Sequence, residues 1–457
     1  SNPILVYNPH PFPVRTIIEC EHQLAVVDFS DNVWHVPTVC QDGKPLPSQL
    51  EKELSNLNLD WRKRSVFIAD LPPSQMSRFD CSFEVVEKRP TPEIAIGKDP
   101  FVFQSDRLTV EINTGTGLVD RFVVDGVEYL KPNAFSPLVL NDDANPWGFL
   151  TTSFRDLAGT FRLMTPEESG RFSGGDVESL PPVRVVEDGP VRTIVEASLI
   201  YEDSPLLLTY KLPKEGALVQ VDVRVYWNCR SKMLKLSIPT KFSAGRYVGQ
   251  VAYGTDELPT TYEAVSQKWS AVVSDDGAVA CINNGIYGSD MRDGEMRLSL
   301  LRSPAFSGHP IGERPVVMDD RFTPRIDQGE RFYSFWVTAG PKHTLLDSID
   351  RTALVCNEQP PALSFYPPGQ GATPKPLAVI EDEAVQMPTV KQAEDGHGYI
   401  VRLFEPTGRD RQITLKLPVL DLEIALKLGA FEIKTLRIDP QTGAVQEADL
   451  IERPLVK

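Results

Sequence analysis

The chain has 457 residues, with 47 Lys and Arg against 63 Asp and Glu, a formal net charge of −16. That balance excludes a broad phosphate-coating surface, and the one short basic run is Arg62-Lys63-Arg64. A hydrophobic content of 41% with 24% charged residues excludes disorder, and apolar runs such as Leu206-Leu207-Leu208 are far below the roughly 20 residues of a membrane-spanning helix.

In chain order the pattern is mostly β. Pro47 to Leu54 reads as a short helix, with Ser48 and Glu51 spaced as a capping box and Leu50 and Leu54 on one face. Thr109–Asn113 alternates, Thr114-Gly115-Thr116-Gly117 turns, and Leu118–Val124 runs to Asp125-Gly126, predicting a hairpin. Val219–Trp227 is a period-2 strand with Val219, Val221, Val223 and Val225 on one buried face and the other face wet. Lys342 to Val355 places Leu345, Leu346, Ile349 and Leu354 on a helical stripe. Ile413–Leu417 and Phe431–Ile438 return to strand alternation. Gly and Pro punctuate the chain throughout, as expected of sandwiches or barrels rather than of a βαβ core. Seams at Lys88-Arg89-Pro90-Thr91-Pro92 and in Asn357 to Lys375 predict three units, 1–95, 96–355 and 356–457.

The search for chemistry is mostly negative. His10, His22, His35, His309, His343 and His397 lie far apart, so no zinc site built wholly from this chain is expected. There is no phosphate-binding glycine loop and no G-x-S-x-G nucleophile elbow. The six cysteines include no C-x-x-C and no Asn-x-Ser/Thr sequon occurs, favouring buried thiols in a reducing, cytoplasmic setting. No N-terminal apolar segment resembles a secretion signal, and Ser1 in place of Met reads as the start of a piece of a longer protein. Two aspartate doublets, Asp142-Asp143 and Asp319-Asp320, read as solvated turns, because neighbouring strand residues face opposite ways and cannot form a glycosidase carboxylate pair. The stretch Asn141–Gly148 still combines carboxylates, amides and Trp147, a mixture suited to a sugar.

Several segments carry a family resemblance. Ile4–Pro9, Phe67–Pro72, Phe103–Phe122, Asn283-Asn284-Gly285-Ile286-Tyr287-Gly288-Ser289-Asp290, Leu298-Ser299-Leu300-Leu301-Arg302-Ser303-Pro304, Asp327–Phe335, Val401–Pro406 and Gly429–Thr435 follow one another as in the C-terminal half of family 38 glycoside hydrolases, the α-mannosidases. The resemblance implies an all-β fold: multi-domain antiparallel β-sandwiches around a large central supersandwich of galactose-mutarotase type. It also implies a retaining mechanism whose aspartate nucleophile and zinc lie on an N-terminal domain with no counterpart here, so no catalytic residue and no cofactor are expected in this chain. Its partners would be that catalytic domain and an oligosaccharide; neither nucleic acid nor membrane is expected, and homo-oligomerisation is left open. At the family's L-L-R-S-P position Arg302 is the leading substrate-binding candidate, with Asp143, Trp147, Tyr287 and Asp290 beside it. The alternative is a stand-alone carbohydrate-binding module with Trp147 or Trp269 as platform. A third reading, a mutarotase, would need His309 with Glu313 or Asp320.

Overall fold

Alternation decides which side of each strand faces a core, and apolar alternation dominates this chain. The computed structural model describes residues 2–24, 26, 33–53, 61–88, 99–143, 151–305, 317, 320–364 and 374–455. They form antiparallel sheets with two α-helices, α1 (Pro166–Ser173) and α2 (Lys342–Asn357). The expected all-β architecture is what is found.

The largest core lies between two sheets. A ten-stranded sheet is built around Arg192–Tyr201, Ser204–Pro213, Val219–Trp227, Gly329–Gly340 and Ala278–Asn283. Facing it, a six-stranded sheet runs through Leu157–Thr160, Ser136–Asn141, Lys232–Pro239, Glu295–Arg302, Gly288–Arg292 and Ala264–Val265. Val219, Val221, Val223 and Val225 are buried from one sheet, and Leu234, Leu236 and Ile238 from the other. Burying each such side chain contributes about 1.5–3 kcal/mol. The predicted hairpin is present as Leu108–Ile112 and Val119–Val124, and its Phe122 enters the same core.

A smaller sandwich precedes this one. Asn2–Tyr7, Trp34–Gln41 and Met76–Val86 lie in one sheet, and Val14–Gln23, Ser48–Glu51 and Arg62–Leu71 in the other. Ala362–Ser364, which follows α2, returns to pair with Asn2–Tyr7. A third pair of sheets closes the chain, with Ile413, Leu415 and Leu417 facing Leu436 and Ile438.

Two local expectations change. Pro47–Leu54 is no helix: Ser48–Glu51 is a strand paired with Arg62–Leu71, and Leu54 lies outside the described residues. Tertiary pairing overrides the capping pattern because alternation buries Gln49 and Glu51 against Arg192 of the large sandwich. Gln49 Oε1 accepts from the backbone N–H groups of Val191 and Arg192, and Glu51 takes the Arg192 guanidinium at 2.6 and 2.7 Å. Secondly, the face of Val219–Trp227 read as wet is only partly so. Arg224 and Tyr226 are exposed, but Asp222 is buried and takes Lys211 at 2.9 Å. Helix α1 was not anticipated, although Thr165-x-x-Glu168 with Pro166 is a full capping box: Thr165 Oγ1 accepts from Glu168 N, and Glu168 returns the bond to Thr165 N.

The predicted second helix is α2, which lays Leu345, Ile349 and Ala353 on the ten-stranded sheet. Asp350 is drawn into that contact. Its Oδ1 accepts from Trp269 Nε1 at 3.0 Å and Gln250 Nε2 at 2.7 Å, while Oδ2 is buried without a hydrogen bond. Burial pushes its pKa up to about 6, against the pull of those two donors. A raised native pKa means that the folded protein holds a proton the unfolded chain has released. The associated stability is complete below the ordinary aspartate range and is lost as pH rises through about 6. Urea titrations from pH 4 to pH 7 are expected to show a decline on the order of 3 kcal/mol from this group. Asp350→Asn should flatten it; an unchanged slope in the variant would assign the pH dependence elsewhere.

Candidate functional site: the outer face of the six-stranded sheet

The same alternation that sends Leu234, Leu236 and Ile238 inward turns Met233, Lys235 and Ser237 outward. Neighbouring strands add Leu138 and Leu140 on one side and Arg297, Ser299 and Asp290 on the other. A bulge between Leu234 and Lys235 resets the register, so Arg302 lies opposite Met233 at the strand end.

Although this face points away from the main core, it is covered. Residues 151–156 and 259–263 cross it: Glu263 N–H bonds Thr152 O, and Arg155 Nη2 donates to Thr260 O at 2.9 Å. Phe154 packs on Leu138, Leu140 and Met233. Lys235 is thereby sealed with 0% side-chain exposure, which requires partners for its ammonium. It donates to both Glu263 oxygens at 2.7 and 2.8 Å and to Asp290, also 0% exposed. Arg155 lies 3.6 Å from Asp290 Oδ1, so two cations face two carboxylates. Asp290 Oδ1 and Arg155 Nε and Nη1 are buried without hydrogen bonds.

At the rim of this network, Asp142 grips Arg302. Arg302 Nε donates to Asp142 Oδ2 at 2.9 Å and Nη2 to Oδ1 at 2.7 Å, with the Asp142 side chain fully buried. The guanidinium also stacks over Phe154, 4.5 Å from the ring centroid. A bidentate clamp and an aromatic platform fix both position and plane, the two properties needed to present an arginine to hydroxyls or a carboxylate.

The sequence-derived candidates fare differently. Arg302 is at this rim. Asp143 is exposed and accepts from Thr151 Oγ1 at 3.1 Å. Asp290 is inside, bound to Lys235, and Tyr287 is exposed one strand away. Trp147 lies outside the described residues, as do His309 and Glu313. Asp320 is exposed and paired with Arg321, and Trp269 is buried against Asp350, which removes it as a sugar platform. Asp142, Lys235 and Glu263 were missed as partners. Asp142 was read as a solvated turn residue, yet its side chain is the buried half of the clamp. The remaining signal was a lysine alternating with leucines in Leu234-Lys235-Leu236, which marks an ammonium within a sheet.

Comparison with known proteins fits this architecture. Residues 159–315 match the profile described as glycosyl hydrolases family 38 C-terminal domain. Residues 384–457 match the one described as glycosyl hydrolases family 38 C-terminal beta sandwich domain. The chain is a C-terminal region of glycosyl hydrolases family 38. Alpha-mannosidase G of Dictyostelium discoideum is 24% identical over 291 residues, covering 56% of this chain and 26% of that protein. Alpha-mannosidase 2C1 of Mus musculus is 24% identical over 216 residues, covering 44% and 19%. The family 38 fold is also seen in two Enterococcus faecalis structures. One, a protein in glycosyl hydrolase family 38, has a TM-score of 0.69 at 13% identity and matches 95% of this chain and 58% of its own. The other, an alpha-mannosidase of strain V583, has a TM-score of 0.67 at 13% identity, with 95% and 56% covered. This family 38 region therefore spans about a quarter or less of its curated relatives and little over half of the solved ones.

The network of this region yields a graded prediction. Lys235→Met leaves the fully buried Asp290 with only Arg155, 3.6 Å away, and strips the part-exposed Glu263 of its ammonium, and should cost about 3–5 kcal/mol in urea unfolding. Asp142→Asn keeps one acceptor for Arg302 and should cost about 1–3 kcal/mol. Equal losses would mean that the two sites are not energetically distinct.

Proposed function

We propose that this chain is the non-catalytic C-terminal part of a family 38 retaining glycosidase that hydrolyses α-mannosidic bonds of oligosaccharides. In this reading it supports and rims an active site carried by an N-terminal catalytic domain. The observation that carries the reading is coverage: two family 38 C-terminal profiles match in order, while 42% of the first solved relative has no counterpart in this chain. The attacking carboxylate would belong to the other domain, forming and then hydrolysing a glycosyl–enzyme bond. Zinc belongs to that domain in the same reading. Among the described residues no three His, Cys, Asp or Glu side chains gather into a metal-holding group.

The contribution of this chain is then positional. Arg302, held in plane by Asp142 and Phe154, would meet sugar hydroxyls or a catalytic carboxylate, with Asp143 and Tyr287 as further substrate contacts and Trp147, outside the described residues, as another by the family resemblance. Asp290 would act beneath them by holding Lys235. All six cysteines are free, five of them buried, which supports a reducing, cytoplasmic setting. Among the described residues no helix is long and apolar enough to cross a membrane.

An aryl α-mannoside tests the proposal. The chain alone should give no turnover above the blank. In the longer parent protein, Arg302→Ala should lower kcat/KM by about 10- to 100-fold, as expected for a lost charge-assisted hydrogen bond. Turnover by this chain alone at the parent's rate would overturn the reading.

A further inference from the structure

A concave site lies on the side of the large sandwich opposite the Arg302 rim. A cleft of about 640 Å³ opens where Val14–Gln23 of the first sandwich, the outer face of the ten-stranded sheet and α2 converge. That volume suits a small molecule, since ligand pockets run from about 300 to 1,000 Å³. Ile17, Leu218, Trp336 and Val355 supply apolar wall, and Gln220 and Thr352 neutral hydrogen-bonding groups.

The charges of the cleft are unevenly matched. Arg15 is paired with Glu215 and Asp70, Arg192 with Glu51 and Glu19, and Lys211 with Asp222. Burial would push Glu19 up, yet Arg192, Lys211 and Arg64 hold it down to about 2, so these pairs remain ionised. Arg351 of α2 differs. It stacks over Phe12 at 4.1 Å and gives one hydrogen bond, from Nη2 to Val385 O at 3.1 Å. Its Nε is buried without an acceptor, and among the described residues it has no ion pair. The carboxylates acting on it compensate only in part: Asp382 is paired with Arg411, and Glu383, which also lines the cleft, is exposed. Burial accordingly lowers the Arg351 pKa to about 10, with Asp382 and Glu383 compensating only in part.

We propose that this three-way cleft binds a small organic anion, a sugar-sized body carrying one carboxylate or phosphate, with Arg351 reading the charge and the apolar wall beside Trp336 holding the body. A guanidinium whose Nε lacks an acceptor and whose Nη2 has only a backbone carbonyl is a group matched to either head group. The site is separate from the Arg302 rim and does not depend on the function proposed for that rim.

Isothermal titration of the whole chain at low ionic strength tests this with glucuronate, glucose 6-phosphate, inorganic phosphate and glucose. One or both sugar anions should bind saturably at one site per chain, and which of them binds identifies the head group. Inorganic phosphate and glucose should bind at least tenfold more weakly. Arg351→Gln should weaken sugar-anion binding at least tenfold, Arg351→Lys should restore part of it, and Thr352→Phe, which fills the cleft and keeps the arginine, should abolish it. Variants are compared only where the unfolding midpoint matches the parent's. Absence of binding by both sugar anions, equal binding of glucose or phosphate, or undiminished binding in either Arg351→Gln or Thr352→Phe would overturn the proposal.

Discussion

A fully buried ammonium group organises the outer face of the six-stranded sheet. Lys235 lies in the middle of the six-stranded sheet, turned away from the leucines on either side of it, and its charge is sealed under a crossing segment. Such a group is tolerated only with carboxylates at hydrogen-bond distance. Glu263 and Asp290 meet that demand from two different stretches of chain. In meeting it they anchor the segment that brings Phe154 beneath Arg302, so the geometry of the rim follows from the burial of one charge.

A comparable constraint fixes the small sandwich to the large one. Glu51 and Gln49 enter the large sandwich as a buried edge, and Arg192 is paired there with Glu51 and with Glu19. The junction joins these hydrogen bonds to an apolar cluster of Val66, Ile68 and Val191. It also shapes the cleft: Arg192 and Glu19 form part of its wall, and α2 closes it from the other side. The Arg302 rim and the cleft of this family 38 region thus both arise where buried charges lock separate segments together.

Much of this was open to reading from the chain. Period-2 valines in Val219–Trp227 and the helical stripe of Lys342–Val355 are local patterns, and both elements form where they were expected. The family segments stand in order for the same reason, each being a short strand or turn with its own signature. Local signals misled where a long-range partner was stronger. Ser48 and Glu51 are spaced as a capping box, but Glu51 is placed by Arg192, 141 residues away. Asp142 looked like a solvated turn residue because its guanidinium lies 160 residues further on.

The chain by itself determined the β class, the faces of its strands and the family to which it belongs, because alternation and short motifs are encoded within a few consecutive residues. The tertiary structure alone decided which charges are buried and with whom. Arg302 is held by Asp142, Trp269 is a core residue rather than a platform, and Arg351 makes no ion pair among the described residues. The reason is physical: the energy of a charge is set by the distance to its partner and by the exclusion of water, and both are properties of the packed sheets, not of the order of residues.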